Sequence, residues 1–331
     1  VARTKRRGDP AFGGSINMGS FPLEINTWGG IDLSGNITTN GGSVLLKTRG
    51  NISQGAFLVS TSGGNVTYWA DSDGNGVGGI LLVSGSAGAA PSVSVGTGNI
   101  VMGGGSGANA TDGAATSSQA GIWVGNYASL SGADITLLGR GAANAANSSG
   151  VVLSPSSSVV ATGSVVITGT AGGTSTVPGN QSSTNIGVSV ASATIESSGA
   201  SGSVTITGTG GGNPLGLNNY GVSINGGGGY TGTVRTRAGA LTIKGTEGAG
   251  TANYGLSLSG GAYLGGASQT GALNLQANSM DWNGLGSITL QTDGAVTIAP
   301  VSTSFSAPQT MGTNVVLAGA SQSTPSALTI G

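Results

Sequence analysis

The chain has 331 residues, of which 67 are Gly, so about one residue in five lacks a side chain, against roughly 7% in average proteins. Only 6% of the residues are charged, ten Lys and Arg against eleven Asp and Glu, whereas 37% are apolar. This composition argues against packed helices, and it argues against disorder because disordered chains combine low hydrophobicity with high net charge. Collagen is excluded because Gly does not recur at every third position.

The chain contains neither His nor Cys. Their absence excludes thiol nucleophiles, disulfides, most triads of nucleophile and base, and nearly all zinc sites. Any catalysis would have to rest on carboxylates, and the nearest pairs are Asp71 with Asp73 and Asp281 with Asp293. Neither pair forms a recognisable catalytic constellation, so we expect no enzymatic activity.

Residues 1–13 are interpreted as a basic arm or linker, because four of the ten Lys and Arg lie in the first seven positions. Within this segment, Arg7, Gly8 and Asp9 form the tripeptide by which some adhesins engage integrins. The three residues are therefore a candidate receptor-binding motif, while a solvated basic arm explains the same residues.

No stretch approaches the roughly 18 apolar residues that a membrane span requires, so no membrane span is expected. No charged start followed by an apolar run marks a signal peptide, and the first residue is Val1. We interpret the chain as a processed or excised piece of a longer polypeptide.

Short strand patterns recur along residues 14–300. The first is a Gly followed by alternating apolar and small residues, and it begins at positions 121, 150, 187, 221 and 255, a spacing of 29 to 37 residues that is typical of solenoids. The second is an apolar-polar-apolar triplet, usually with Thr in the middle, which begins at Ile135, Val204, Leu241, Leu273, Ile288 and Val296. A third strand fits between them at residues 193–197 and 232–236.

Alternation with period two places one face of each strand inward and its Ser or Thr face in solvent. Three strands per repeat predict an all-β fold, a right-handed parallel β-helix with three sides and Gly/Asn/Ser-rich loops of variable length. In this register Val188, Val222 and Leu256 stack along the core, and Asn side chains form ladders. Residues 14–300 then form one continuous solenoid, and residues 301–331 form terminal coils or an edge segment.

Asp71, Asp73 and Asn75 place oxygen-bearing side chains at alternate positions before Gly76, as in the first half of a calcium-binding loop. The twelfth position is Leu82, where such a loop has Glu. The three residues are candidate Ca²⁺ ligands, while a tight corner after a strand needs the same residue types. Apart from this possible Ca²⁺, no cofactor is expected.

Residues 64–76 read Gly-Asn-Val-Thr-Tyr-Trp-Ala-Asp-Ser-Asp-Gly-Asn-Gly, and residues 79–82 read Gly-Ile-Leu-Leu. This block resembles one found in large bacterial exoproteins of the filamentous-haemagglutinin type, which are exported by two-partner secretion. Most of the chain has a similar strand pattern, whereas the family's amino-terminal secretion domain with its Asn-Pro signatures is not seen. The resemblance implies a β-helical, internal segment of an adhesin or surface fibre.

We therefore expect an extracellular or cell-surface, structural and adhesive segment of a bacterial adhesin or matrix fibre that acts as a stiff spacer. Its expected partners are itself or neighbouring segments of the fibre, together with a host or cell-surface glycan or receptor. The alternative is a subunit that polymerises end to end through the open strand edges of an uncapped β-helix. A third class is a glycan-binding or glycan-cleaving tailspike, for which Trp28, Tyr68, Trp69, Trp123 and Trp282 could stack on sugars. Nucleic-acid binding is not expected, because the remaining cations are scattered.

Overall fold

The computed structural model describes residues 2–6, 11–12, 14–83, 85–143, 145, 147–173, 185–212, 217–227, 229–251, 253–282, 286–307, 309, 311, 313–319 and 325–331, with side chains from residue 14 onward. Within these ranges the backbone forms thirty-four β-strands and no helix. Val, Ile, Leu and Thr dominate the strands, as expected for residues that fit a pleated, half-buried surface.

The strands form three sheets, and within the described strands all neighbours in a sheet run parallel. The first sheet contains β1 (Ala2–Arg6), β4 (Leu23–Thr27), β7 (Val44–Thr48), β10 (Val66–Ala70), β13 (Ile100–Gly104), β14 (Ala115–Ser117), β17 (Ile135–Gly141), β20 (Val165–Thr170), β23 (Val204–Thr209), β26 (Leu241–Thr246), β29 (Leu273–Gln276), β32 (Ala295–Ala299) and β34 (Ala327–Ile330). β14 pairs beside the main path, against the end of β17.

The second sheet contains β2 (Ala11–Phe12), β5 (Ile31–Leu33), β8 (Ile52–Gln54), β11 (Ile80–Leu82), β15 (Ala120–Val124), β18 (Ser149–Leu153), β21 (Val188–Ala191), β24 (Val222–Asn225), β27 (Leu256–Ser259) and β30 (Met280–Asp281). The third sheet contains β3 (Ile16–Asn17), β6 (Ile37–Thr38), β9 (Leu58–Ser60), β12 (Ser92–Ser94), β16 (Ser129–Gly132), β19 (Ser158–Ala161), β22 (Thr194–Ser197), β25 (Gly232–Thr236), β28 (Ala262–Gly265), β31 (Ile288–Gln291) and β33 (Val315–Ala318). Apart from the extra strand β14 and the last described coil, which has no second-sheet strand, each turn of the chain adds one strand to each sheet. This arrangement confirms the three-sided parallel β-helix.

The core is a stack of apolar side chains that runs along the inside of the solenoid. Val188 pairs with Val222, and Val222 pairs with Leu256, each in the same register one coil further on. All three are fully buried. The predicted stack is therefore confirmed, and its cause is the strict alternation of inward apolar and outward polar residues.

The Gly-led pattern belongs to the second sheet at all five of its positions, since its strands are β15, β18, β21, β24 and β27. The triplet pattern belongs to the first sheet, with one exception. The segment that begins at Ile288 lies in β31 of the third sheet, so our grouping of it with the others was wrong. Strands of the first and third sheets both have three successive side chains that point inward, outward and inward. The triplet pattern therefore does not distinguish the two sheets.

The first and second sheets approach each other closely at two facing rows of Gly. A Cβ atom on Gly208 would lie 2.0 Å from the carbonyl oxygen of Gly221, and one on Gly221 would lie 2.5 Å from the amide nitrogen of Thr246. Gly169 and Gly245 meet the carbonyls of the second sheet in the same way. Gly is required in these rows because the two backbones pass where a side chain would lie.

Asn side chains form the predicted ladder beside these rows, and two of the three, Asn185 and Asn219, are buried. The Oδ1 atom of Asn185 accepts a hydrogen bond from the backbone N–H of Ser148 at 2.9 Å. The Oδ1 atom of Asn219 accepts one from the backbone N–H of Asn185 at 3.3 Å. The Oδ1 atom of Asn253 accepts the next, from Asn219, at 2.8 Å. Each Asn thus satisfies a backbone donor one coil away.

Both ends of the chain contribute strands to the solenoid. The described part of residues 1–13 differs from a free arm, because β1 pairs with β4 and β2 pairs with β5. At the other end, β33 pairs with β31 and β34 pairs with β32. Leu328 and Ile330 of β34 are 45% and 52% exposed, whereas their neighbours one coil below are buried.

Candidate functional site

A groove of about 910 Å³ opens on the side of the solenoid, where two loops of neighbouring coils stand out from the first sheet. The first loop, residues 71–78, follows β10, and the second, residues 105–114, joins β13 to β14. The polar side chains that line the groove are Asp71, Asn75, Ser106, Asp112, Thr116 and Arg140. Two of these, Asp71 and Asn75, are among the predicted Ca²⁺ ligands.

The local backbone turns outward at residues in the left-handed region. Asp71 has a φ of 47°, and Gly74, Gly76 and Gly105 also have positive φ values. The first loop is tied to β14, the strand that follows the second loop, because the N–H of Gly78 donates to the carbonyl of Thr116 at 2.6 Å and the N–H of Thr116 donates to the carbonyl of Gly78 at 2.9 Å. A non-Gly residue at positive φ is uncommon, so Asp71 has a specific local role.

That role is to close the first loop. The carboxylate of Asp71 accepts hydrogen bonds from the N–H of Gly76, at 3.1 Å to Oδ1 and 3.2 Å to Oδ2. Thr116 and the N–H of Val77 also bond to this carboxylate. Burial raises the pKa of Asp71, since its side chain is only 2% exposed, and these hydrogen bonds oppose the increase.

The other two candidate Ca²⁺ ligands also bond within the loop. Asn75 donates to Oδ2 of Asp73 at 3.1 Å and accepts from the N–H of Val77 at 2.9 Å. Among the described residues, no group of three or more carboxylate, imidazole or thiol side chains is arranged to hold a metal ion. These contacts close the corner, although Oδ1 of Asp73 is buried without a hydrogen-bond partner among the described residues. Calcium binding stays a prediction.

Asp112 and Arg140 supply the exposed charges of the groove. Oδ2 of Asp112 accepts from the N–H of Asn109 at 2.7 Å, which folds the second loop. Arg140 extends from the outer face of β17, and it forms no salt bridge within the described ranges. We did not predict these residues, although Asp112 is the only charged residue between Asp73 and Asp134 and so stands out in the sequence.

The aromatic residues proposed for sugar stacking are divided between the core and the surface. Tyr68 and Trp282 are buried inside the solenoid, so neither can contact a ligand at the surface. Trp123 is partly exposed, and its Nε1 donates to Oγ of Ser154 at 2.7 Å. Of these three residues, only Trp123 keeps an accessible ring.

Two further Trp residues, Trp69 in β10 of the first sheet and Trp28 just after β4, lie under cations. The Nζ atom of Lys47 lies 3.4 Å from the ring centroid of Trp69, whose Nε1 donates to the carbonyl of Gly105 at 2.8 Å. Trp69 therefore supports the base of the second loop. The guanidinium of Arg49 lies 4.5 Å from the ring centroid of Trp28, which is 44% exposed.

The remaining sequence candidates do not join this groove. Arg7, Gly8 and Asp9 lie outside the described residues. Asp281 lies in β30 of the second sheet, whereas Asp293 follows β31 of the third sheet. The predicted carboxylate pair is thus divided between two sides of the solenoid.

Comparison with protein-family models, characterised proteins and solved structures finds no match to this chain. The resemblance to filamentous-haemagglutinin exoproteins therefore stays a prediction. Within the part of the chain that the structure describes, no helix is long and apolar enough to cross a bilayer.

Proposed function

We propose that this chain is a non-catalytic, structural and adhesive segment of an extracellular or cell-surface bacterial fibre. The observation that carries the proposal is the continuity of the three parallel sheets, of which the second runs from β2 to β30 and the other two continue to β33 and β34. Each coil is held to the next by main-chain hydrogen bonds on three sides and by the apolar stack. Such a solenoid resists bending and local opening, as a spacer requires.

The outer surface supports the same function. Charged residues are few, and the outward positions of the first sheet in β20, β23 and β26 carry mainly Thr. A neutral polar surface limits nonspecific attraction to charged molecules. Partners would be neighbouring segments of the fibre, together with a receptor or glycan that the loops contact.

Electron microscopy and small-angle scattering of the purified chain test the structural part of this proposal. Twelve strands follow one another along the first sheet, so we expect a rod about 50 Å long at a spacing of about 4.8 Å per strand. The rod should also resist proteinase K. A compact particle of equal axes, or rapid complete digestion, would contradict the proposal.

Location and catalysis need separate experiments. Antibodies against the chain should label intact cells of the organism that makes it, and labelling restricted to permeabilised cells would contradict a surface location. Incubation with a panel of polysaccharides should release no new reducing ends. Glycan cleavage that is lost in the Asp71→Asn or Asp73→Asn variant would replace the structural proposal with an enzymatic one.

A second candidate function, polymerisation end to end, is favoured by the exposed inward positions of β34. Leu328 and Ile330 continue the core stack but have no coil above them among the described residues. Open strand edges invite pairing with another chain. Ordered filaments of the purified chain would favour this function, whereas monomeric sedimentation over a wide concentration range would exclude it.

A further inference from the structure

We infer that the groove between the loops of residues 71–78 and 105–114 binds a neutral, hydroxyl-rich glycan. The inference rests on the adhesive part of the proposed function and assigns a ligand class to one place on the solenoid.

The exposed charges favour a neutral ligand. Asp112 and Arg140 present one carboxylate and one guanidinium to the same groove, and the second carboxylate, Asp71, lies buried behind them. These two exposed charges cancel, so a ligand dense in sulfate or carboxylate groups gains no net electrostatic attraction in the groove. Sugar hydroxyls suit both groups, because they donate to a carboxylate and accept from a guanidinium.

Free hydrogen-bonding capacity remains at both side chains. Asp112 uses one carboxylate oxygen for the N–H of Asn109, and its other oxygen has no hydrogen bond within the described ranges. The guanidinium of Arg140 has no ion-pair partner there. Charge-assisted hydrogen bonds are about twice as strong as neutral ones, so this pair is the main source of affinity.

The walls allow a ring to approach the backbone closely. Gly74, Gly76, Gly105, Gly107 and Gly113 all line the groove, so few side chains stand between a ligand and the main chain. Its volume of about 910 Å³ falls within the range of about 300–1,000 Å³ that is usual for ligand pockets. Insertions on one face of a solenoid often form its binding surface.

The two loops are held in place before any ligand arrives. The carboxylate of Asp71 closes the first loop, and its carbonyl accepts a 3.0 Å hydrogen bond from the N–H of Gly105 at the base of the second loop. The paired hydrogen bonds between Gly78 and Thr116 join the end of the first loop to β14, directly after the second loop. A preformed groove loses less conformational entropy on binding, which favours recognition of a flexible glycan.

The test is a printed array of neutral, sulfated and uronic-acid oligosaccharides probed with the full chain, followed by calorimetry with the best neutral ligand. Asp112→Asn and Arg140→Gln alter the groove with little change in size, and both side chains are exposed. Asp32→Asn and Arg237→Gln are the matched controls, because they make the same chemical changes at exposed positions in the second sheet and just after β25 of the third sheet.

We expect binding to neutral oligosaccharides, weakened at least tenfold by Asp112→Asn and by Arg140→Gln and unchanged by both controls. Thermal melting of all four variants shows whether each one is folded. Binding to sulfated or uronic-acid ligands alone, no binding to any neutral ligand, or equal loss in variants and controls would overturn the inference. None of these results alters the rod length measured by scattering, so the structural proposal is judged separately.

Discussion

Asp71 combines a buried carboxylate, a positive φ and a loop that depends on it. Burial raises its pKa above the ordinary value of 3.8. The folded protein therefore holds this proton more tightly than the unfolded chain does. Between pH 3.8 and the raised folded pKa, the contribution of Asp71 to stability is lost as the pH rises.

We expect the Asp71→Asn variant to lack this pH dependence. The measurement is the melting temperature of wild type and variant from pH 3 to pH 7. The wild-type value minus that of the variant should decrease as the pH rises, because the other carboxylates titrate alike in both proteins. A difference that is constant, or that increases with pH, would show that hydrogen bonding outweighs burial at this carboxylate.

A substitution at Val222 tests how much a single core residue contributes to stability. Val222 is fully buried between Val188 and Leu256, so Val222→Asp would place an unpaired charge in the apolar stack. We expect a loss of more than about 4 kcal/mol in the free energy of unfolding, measured by urea denaturation. Thr205→Asp, on the outer face of β23, is the control and should change stability by less than about 0.5 kcal/mol.

The close approach of the first and second sheets is a property of whole strands. Gly208→Ala places a Cβ atom 2.0 Å from the carbonyl oxygen of Gly221, so β23 or β24 must shift. We expect destabilisation of about 3 kcal/mol by the same urea measurement. Gly227→Ala is the matched control, because the nearest atom to its Cβ is 3.9 Å away, and an equal loss in both variants would contradict the argument.

The sequence predicted the strands well because alternation with period two distinguishes inside from outside at nearly every position, as in the Val188, Val222 and Leu256 stack. It did not predict which sheet receives a strand, as at Ile288, because inward and outward positions are alike in the first and third sheets. The groove was missed for another reason. Asp71, Asp112 and Arg140 are far apart in sequence, and they meet only because their coils are adjacent.

At the scale of the whole molecule, the coil is the unit that can be removed. Val188 and Val222 are equivalent positions 34 residues apart, so deletion of residues 188–221 joins Gly187 to Val222 in register. We expect a folded rod shorter by about 4.8 Å, measured by small-angle scattering. Deletion of residues 188–204 is the control. It joins Gly187, which leads into the second sheet, to Thr205 of the first-sheet strand β23, so the register is lost and folding should be abolished. Unfolding in both deletions would contradict modular coils.

The register of the sheets also has a kinetic consequence. Paired strands lie between 21 and 42 residues apart in the chain, as Ala2 with Leu23 and Ile80 with Ile122 show. Within the described strands, each strand of a folded coil pairs with the equivalent strand of the next coil in the sequence. Folding can therefore start at one place and advance along the chain coil by coil. A chain that becomes available gradually from one end could fold coil by coil as it emerges. Each newly folded coil would then oppose reverse movement of the part that has already emerged.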